Sequence, residues 1–198
     1  MANTKTKPAT VAPRKPMAPR KKKGMPGMRG VDHINLTVPN VDQAVKFLVD
    51  VLGFEEFYNL GTFSRPKGTW MRDYLGVHPR AKITNMRMIR CGAGPNIELF
   101  EYEAPGKRRK LPKNSDNGGH HYAIYVDDMD KAVRHLKKHG VKILGKPTLN
   151  AGNAEEGEYW CYFLAPWGQQ FEVVSWPKGR AYEKWYTHHL WDTRNPAA

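Results

Sequence analysis

The sequence nearly repeats itself. "GVDHINLTVPNVDQAV" at residues 30–45 and "GGHHYAIYVDDMDKAV" at 118–133 have the same layout. With His33 set on His121, Val38 falls on Val126, Asp42 on Asp130, Ala44 on Ala132, Val45 on Val133 and Leu48 on Leu136. A chain containing one supersecondary unit twice is constrained to build two like modules, so whatever the first places in space the second places again.

Each copy changes period midway. "HINLTV" alternates, with His33, Asn35 and Thr37 on one face and Ile34, Leu36 and Val38 on the other, which predicts a strand. Asn40 is a capping candidate, Val41, Ala44, Val45, Leu48 and Leu52 recur at helical spacing, and Gly53 ends the run. "HYAIYV" alternates likewise, Asp128 is the cap, Met129, Ala132, Val133 and Leu136 recur helically, and Gly140 ends that helix. Further strands are expected at 55–61, 83–91 and 97–102 in the first half, and at "VKILG", 159–165 and 170–176 in the second. The fold class is therefore α+β, a strand–helix–strand–strand–strand unit occurring twice. The expected division is a disordered basic arm 1–29, a first module 30–104, a linker 105–117, a second module 118–178, and an aromatic segment 179–198. Residues 62–82 read as a long insertion between strands, a common source of site walls and lids. Tyr182, Trp185, Tyr186, Leu190 and Trp191 are too many for a free tail, and imply packing on the domain or across a dimer interface.

Charge narrows the partners. Nine of the 32 Lys and Arg residues precede the first acid, Asp32, so the formal charge of +13 is concentrated in the arm and the remainder is only mildly basic. The arm, with no aromatic residue, buries too little apolar surface to offset ordering, and its contact with nucleic acid would be non-specific. No apolar run reaches the ~20 residues of a membrane span. Cys91 and Cys161 lack CxxC spacing, which fits a reduced cytoplasmic setting.

The last strands of the halves also match, "IEL" (97–99) on "FEV" (171–173), so each half offers a His on its first strand and a Glu on its last. Ile97 and Leu99 flank Glu98, and Phe171 and Val173 flank Glu172. With a period of two, those apolar neighbours claim the core face and commit each carboxylate to the other. Singly, each such residue is equally a surface group on a half-exposed sheet. Their repeated placement instead suggests convergence, and two imidazoles with two carboxylates neutralise and hold a divalent cation: Zn, Ni, Co, Fe or Mn.

The motifs "DHINLTVPNVDQAVKFLVDVLGF", "IELFEYEAP", "HHYAIYVDDMDKAV" and "APWGQQFEVVSWP" resemble the vicinal oxygen chelate superfamily, which includes glyoxalase I, methylmalonyl-CoA epimerase, extradiol dioxygenases and fosfomycin-resistance proteins. The resemblance covers residues 30 to 178 and implies tandem βαβββ modules forming a cupped, partly open mixed β-barrel around a metal. It implies metal ligation by His33, Glu98, His121 and Glu172, with His120 turned to the other face. It also implies a divalent-metal-dependent isomerase or epimerase, which chelates a small-molecule carbonyl substrate and moves a proton at the adjacent carbon through an enediolate. Glu172 and Glu98 are the candidate catalytic groups. A lactoylglutathione lyase is the alternative, and a ring-cleaving dioxygenase or small-molecule-binding resistance protein are further ones. A homodimer is expected. Inward-facing Asn35, Thr37, Tyr102, Tyr125, Trp160 and Tyr162 are candidate substrate contacts, with core packing the competing role for each aromatic.

Overall fold

A computed structural model describes residues 24–197. The chain forms two compact units, one of Gly27–His121 with Leu164–Gln170, the other of Tyr122–Phe163 with Phe171–Ala198. The basic arm falls outside the described residues except for 24–29, which are exposed.

In the first unit, β1 (His33–Thr37) leads to α1 (Val41–Lys46), which continues as a π-helical turn over Phe47–Val51. β2 (Glu55–Asn59), β3 (Phe63–Ser64), α2 (Trp70–Leu75), β4 (Lys82–Arg90) and β5 (Asn96–Glu103) follow. The sheet order is β1-β5-β4-β2, with β3 added on β4. In the second unit, β6 (Tyr122–Tyr125), α3 (Met129–Lys138), β7 (Lys142–Leu149), β8 (Tyr159–Leu164) and β9 (Gln170–Ser175) give the order β6-β9-β8-β7. Both are βαβββ units in which the first strand lies parallel to the last.

The duplication extends to single hydrogen bonds. The Asn40 side chain accepts from the Gln43 amide, and Asp128 accepts from that of Lys131, each relieving an orphan donor of its helix. The Val38 amide donates to the Phe100 carbonyl at 2.8 Å, and its counterpart Val126 to Val174 at 2.9 Å. Gly53 and Gly140 both close their helices in the left-handed region, at φ 76° and 71°. Val41, Ala44, Phe47 and Leu48 bury one helix stripe, and Met129, Val133 and Leu136 the other.

One expectation needs correction. β6 begins at Tyr122, so His121 stands just ahead of the strand rather than at its head. Its backbone belongs to the turns closing the 105–117 stretch, where Gly119 donates to the Asp116 carbonyl. The insertion expected at 62–82 lies between β2 and β4 and has structure of its own. It carries β3 and α2, with Met71 fully buried and Gly76 ending the helix at φ 65°. A helix of six residues is too short to leave a readable period, and burial of Met71 decides it. The C-terminal segment packs back on the second unit. Arg194 donates to the Trp176 carbonyl at 2.8 Å, and its guanidinium lies 5.8 Å from the Tyr125 and Trp176 ring centroids. Leu190 and Trp191 stay exposed. Among the described residues no helix is long and apolar enough to cross a membrane, and both cysteines are free thiols.

Candidate metal centre and the surfaces around it

The sheet topology positions the carboxylates. Because β1 is parallel to β5, Asn35 is the register partner of Glu98, and because β6 is parallel to β9, Ala123 is the partner of Glu172. In both modules the residue two beyond the histidine is thus paired with the glutamate. Two residues along a strand return to the same face, which puts Glu98 on the face that His33 uses in β1, whereas His121 precedes β6 and its direction is not set by strand alternation.

In the first unit this brings two of the four candidates together, with His33 Nε2 3.4 Å from Glu98 Oε2. His33 Nδ1 lies 2.7 Å from the Asp32 carboxylate. An ionised carboxylate only accepts, so Nδ1 carries a proton, and in the neutral imidazole the lone pair is on Nε2, on the Glu98 side. The bond to Asp32 raises the His33 pKa, desolvation is the next largest effect and opposes it, and the charges of Glu98 and Asp32 add to the rise. His121 is oriented in the same way, its Nδ1 lying 3.1 Å from the Asn114 amide oxygen, which puts the lone pair on Nε2. Burial lowers the His121 pKa, and the adjacent His120 lowers it further. His120 is exposed, its Nδ1 3.1 Å from the Gly118 carbonyl, while its own carbonyl accepts from Gln169 Nε2.

In the second unit Glu172 is buried, with 8 % of its surface exposed. Burial first, then the negative charges of Glu158 and Glu155, push its carboxyl up to about 7. Phe171 and Val173 beside it face the core, where Phe171 stacks on Phe163 at 5.5 Å. Among the described residues, no group of three or more His, Cys, Asp or Glu side chains is arranged to hold an ion. The chemistry of the donors nevertheless fits a divalent cation. Both histidines offer a fixed Nε2 lone pair, and His33 already faces a carboxylate at near-contact distance.

The candidate substrate contacts lie on the same strands. Thr37 donates to the Asn35 amide oxygen at 3.4 Å, and the Asn35 amide nitrogen lies 3.5 Å from the Glu98 carbonyl. Tyr102 stacks on Phe100, and its pKa is raised by burial and then by the charge of Glu98, as expected of groups sharing a face. Trp160 and Tyr162 are half-buried on one face of β8, 5.4 Å apart, and Trp160 donates to Asn150. Tyr162 feels the charge of Glu172. Tyr125 is packed edge-on against Trp176 at 4.8 Å with Arg194 over its ring, a clamp for the C-terminal segment.

Sequence reasoning overlooked Asp32 and Asn114, the groups that orient the two imidazoles. Asp32 is readable in hindsight as the "DH" pair, whereas Asn114 lies seven residues from its histidine in a turn-rich stretch with no period. It also overlooked a cavity of about 1160 Å³ in the first unit, bounded by the ends of β1 and β5, the start of β4 and the 104–112 stretch.

Comparison with known proteins places this architecture. The profile of the Glyoxalase/Bleomycin resistance protein/Dioxygenase superfamily matches residues 30–173. The chain is 43% identical over 163 residues to a 2-epi-5-epi-valiolone epimerase from Actinomyces sp., covering 82% of this chain and 87% of that protein. Among solved structures, a glyoxalase family protein from Bacillus cereus superposes with a TM-score of 0.58 at 20% identity, covering 80% of this chain and 98% of that one. A glyoxylase/bleomycin resistance protein/dioxygenase domain from Frankia sp. EAN1pec gives 0.53 at 18% identity, covering 75% and 98%. These two likenesses are of fold.

Proposed function

The chain belongs to the Glyoxalase/Bleomycin resistance protein/Dioxygenase superfamily, and from that premise we propose that it is a divalent-metal-dependent epimerase acting on a polyhydroxylated cyclic ketone. The observation that carries this reading is the similarity to a 2-epi-5-epi-valiolone epimerase, 43% identical over 163 residues and covering 82% of this chain.

His33, Glu98, His121 and Glu172 would hold the ion. When bound, such a cation draws electron density from the substrate carbonyl and balances the negative charge that develops on its oxygen. The remaining work falls to this chain's own groups. Epimerisation removes a proton from the carbon beside the carbonyl and returns one to the opposite face. It therefore needs two proton-handling groups, or one that relocates. Glu172, buried and near the acids Glu158 and Glu155, is the proposed base, because a poorly solvated carboxylate beside negative charge is a stronger proton acceptor than one in water. Glu98, on its own sheet beside His33, is the second carboxylate able to deliver a proton. Asp32 and Asn114 keep the imidazoles in the tautomer that exposes Nε2. Asn35 and Thr37 offer hydroxyl-matching donors and acceptors on the His33 face, which suits a polyol.

Incubating the purified, metal-loaded protein with 2-epi-5-epi-valiolone in deuterium oxide tests the proposal. We expect one deuterium at the carbon adjacent to the carbonyl, inverted configuration there and no oxygen uptake. Oxygen consumption, or thioester formation from methylglyoxal and glutathione with no exchange in the cyclic ketone, would replace this reading.

A further inference from the structure

The cavity in the first unit is strongly one-signed. Arg80, Lys82, Lys107, Arg108, Arg109 and Lys110 line it, against two carboxylates, Glu101 and Glu103. Glu101 is already engaged. One of its oxygens accepts the Val41 amide at the start of α1 at 2.8 Å, and the other accepts the Thr84 hydroxyl at 3.1 Å. Glu103 pairs in register with Lys82. A concave surface whose cations outnumber its available carboxylates this far concentrates anions, and guanidinium forks beside ammonium groups match phosphoryl oxygens.

The cavity is built rather than incidental. Lys107 donates to the Tyr102 carbonyl at 2.8 Å, and the Lys107 amide donates to the Ala104 carbonyl, so the cationic stretch is pinned to the end of β5. Arg80 is fixed at the entry to β4, where its amide donates to His78 Nδ1 and buried Ala81 follows. The inner wall includes Thr37 and Tyr102. Thr37 lies four residues beyond His33 on β1, and Tyr102 four beyond Glu98 on β5, about 13 Å along either strand at ~3.3 Å per residue. The cavity therefore opens at the far end of the face that carries the candidate metal pair.

We propose that this cavity receives a phosphate or diphosphate group carried by the substrate on a tail spanning roughly 13 Å from the reacting carbonyl, given the strand rise. The inference rests on the epimerase reading for where the carbonyl sits, and it widens the class of molecule from the free cyclic ketone to its phosphorylated conjugates. It also gives the cationic 107–110 stretch, which the reaction itself leaves unused, a role in holding the substrate.

The test is calorimetric titration of inorganic pyrophosphate into chelator-treated full-length protein at constant ionic strength, so that the metal plays no part. Wild type should bind. The Arg80→Gln/Lys82→Gln variant should bind at least tenfold more weakly, and so should Lys107→Gln/Arg109→Gln, which samples the opposite wall in case the first variant fails to fold. Lys21→Gln/Lys22→Gln/Lys23→Gln, in the arm, should stay within twofold of wild type. Absence of binding, equal binding of sulfate and pyrophosphate, or loss confined to the arm variant would overturn the proposal. Deuterium exchange in the neutral ketone keeps the readings apart. Exchange with no pyrophosphate binding sinks the anion site alone, whereas pyrophosphate binding with no exchange in any ketone sinks the epimerase.

Discussion

The two modules share topology, caps and register, yet their carboxylates lie in different surroundings. Glu98 is partly exposed, with 21% of its side chain accessible, beside an imidazole oriented by Asp32. Glu172, its counterpart in the duplication, is 8 % exposed, and burial with two neighbouring acids pushes it up to about 7. One backbone plan has thus produced two chemical environments. Duplication fixes where a carboxylate is presented, and the side chains around it set how readily that group takes a proton. The difference supports an unequal division of labour, with Glu98 as a donor paired to His33 and Glu172 as the group that moves the proton.

The sharpest way to break this comparison is to swap each carboxylate for its amide. Glu172→Gln should cut deuterium exchange by about 10²–10⁴-fold, the usual worth of a general base. Glu98→Gln should lower metal content, and with metal restored exchange should recover while inversion of configuration stays slow, because the proton returning to the opposite face has lost its carboxyl donor. Equal, metal-independent losses in both variants would erase the distinction.

A smaller effect is expected one layer out. Asp32→Ala and Asn114→Ala release the Nδ1 protons of His33 and His121, and each should weaken metal affinity by about 10–100-fold. Competition against a chromogenic chelator measures this. An effect from Asp32 alone would mean that His121 is not a ligand, and the symmetry of the site would fail.

The shared features should respond alike. Gly53→Ala and Gly140→Ala place a side chain in the left-handed region with nothing within 4 Å of the new Cβ, so conformational strain is the only cost. Each should lose about 1 kcal/mol in denaturant unfolding. Unequal losses would show that the two helix ends differ in more than backbone geometry.

The smallest effect is confined to the second unit. Asp192 is held below the usual carboxylate range chiefly by the Arg194 hydrogen bond, aided by the Arg194 amide and charge and the charge of Arg180, with burial opposing. A depressed folded value means the contribution is complete above the unfolded pKa near ~4, and fades as pH falls through the folded one. Tryptophan fluorescence should report loosening of the Arg194–Trp176 contact in that acid window, and Asp192→Asn should remove the transition. The first unit lacks this clamp, so a fluorescence change surviving in Asp192→Asn would have to come from elsewhere.

Much of this was legible before any coordinates. Periods of two and 3.6, capping residues Asn40 and Asp128, and terminating Gly53 and Gly140 are local signals, and each acts where it was read. Helix α2 was not legible, because six residues leave no period and only the burial of Met71 identifies it. The Asp32 and Asn114 contacts were missed for a related reason: a side chain that orients another carries no pattern of its own.

The sequence alone determined that there are two like strand–helix modules, each with a histidine at or just before its first strand and a glutamate on its last, because periodicity and duplication are properties of the chain. Tertiary structure alone decided that β1 lies against β5 and β6 against β9, which makes Asn35 the partner of Glu98 and Ala123 that of Glu172. It alone decided that Glu172 is buried and Glu98 partly exposed, and that the cations of 107–110 line one cavity with those of the β4 entry. The physical reason is that burial, field and pairing are sums over neighbours distant in sequence, and those neighbours are chosen only when the sheets form.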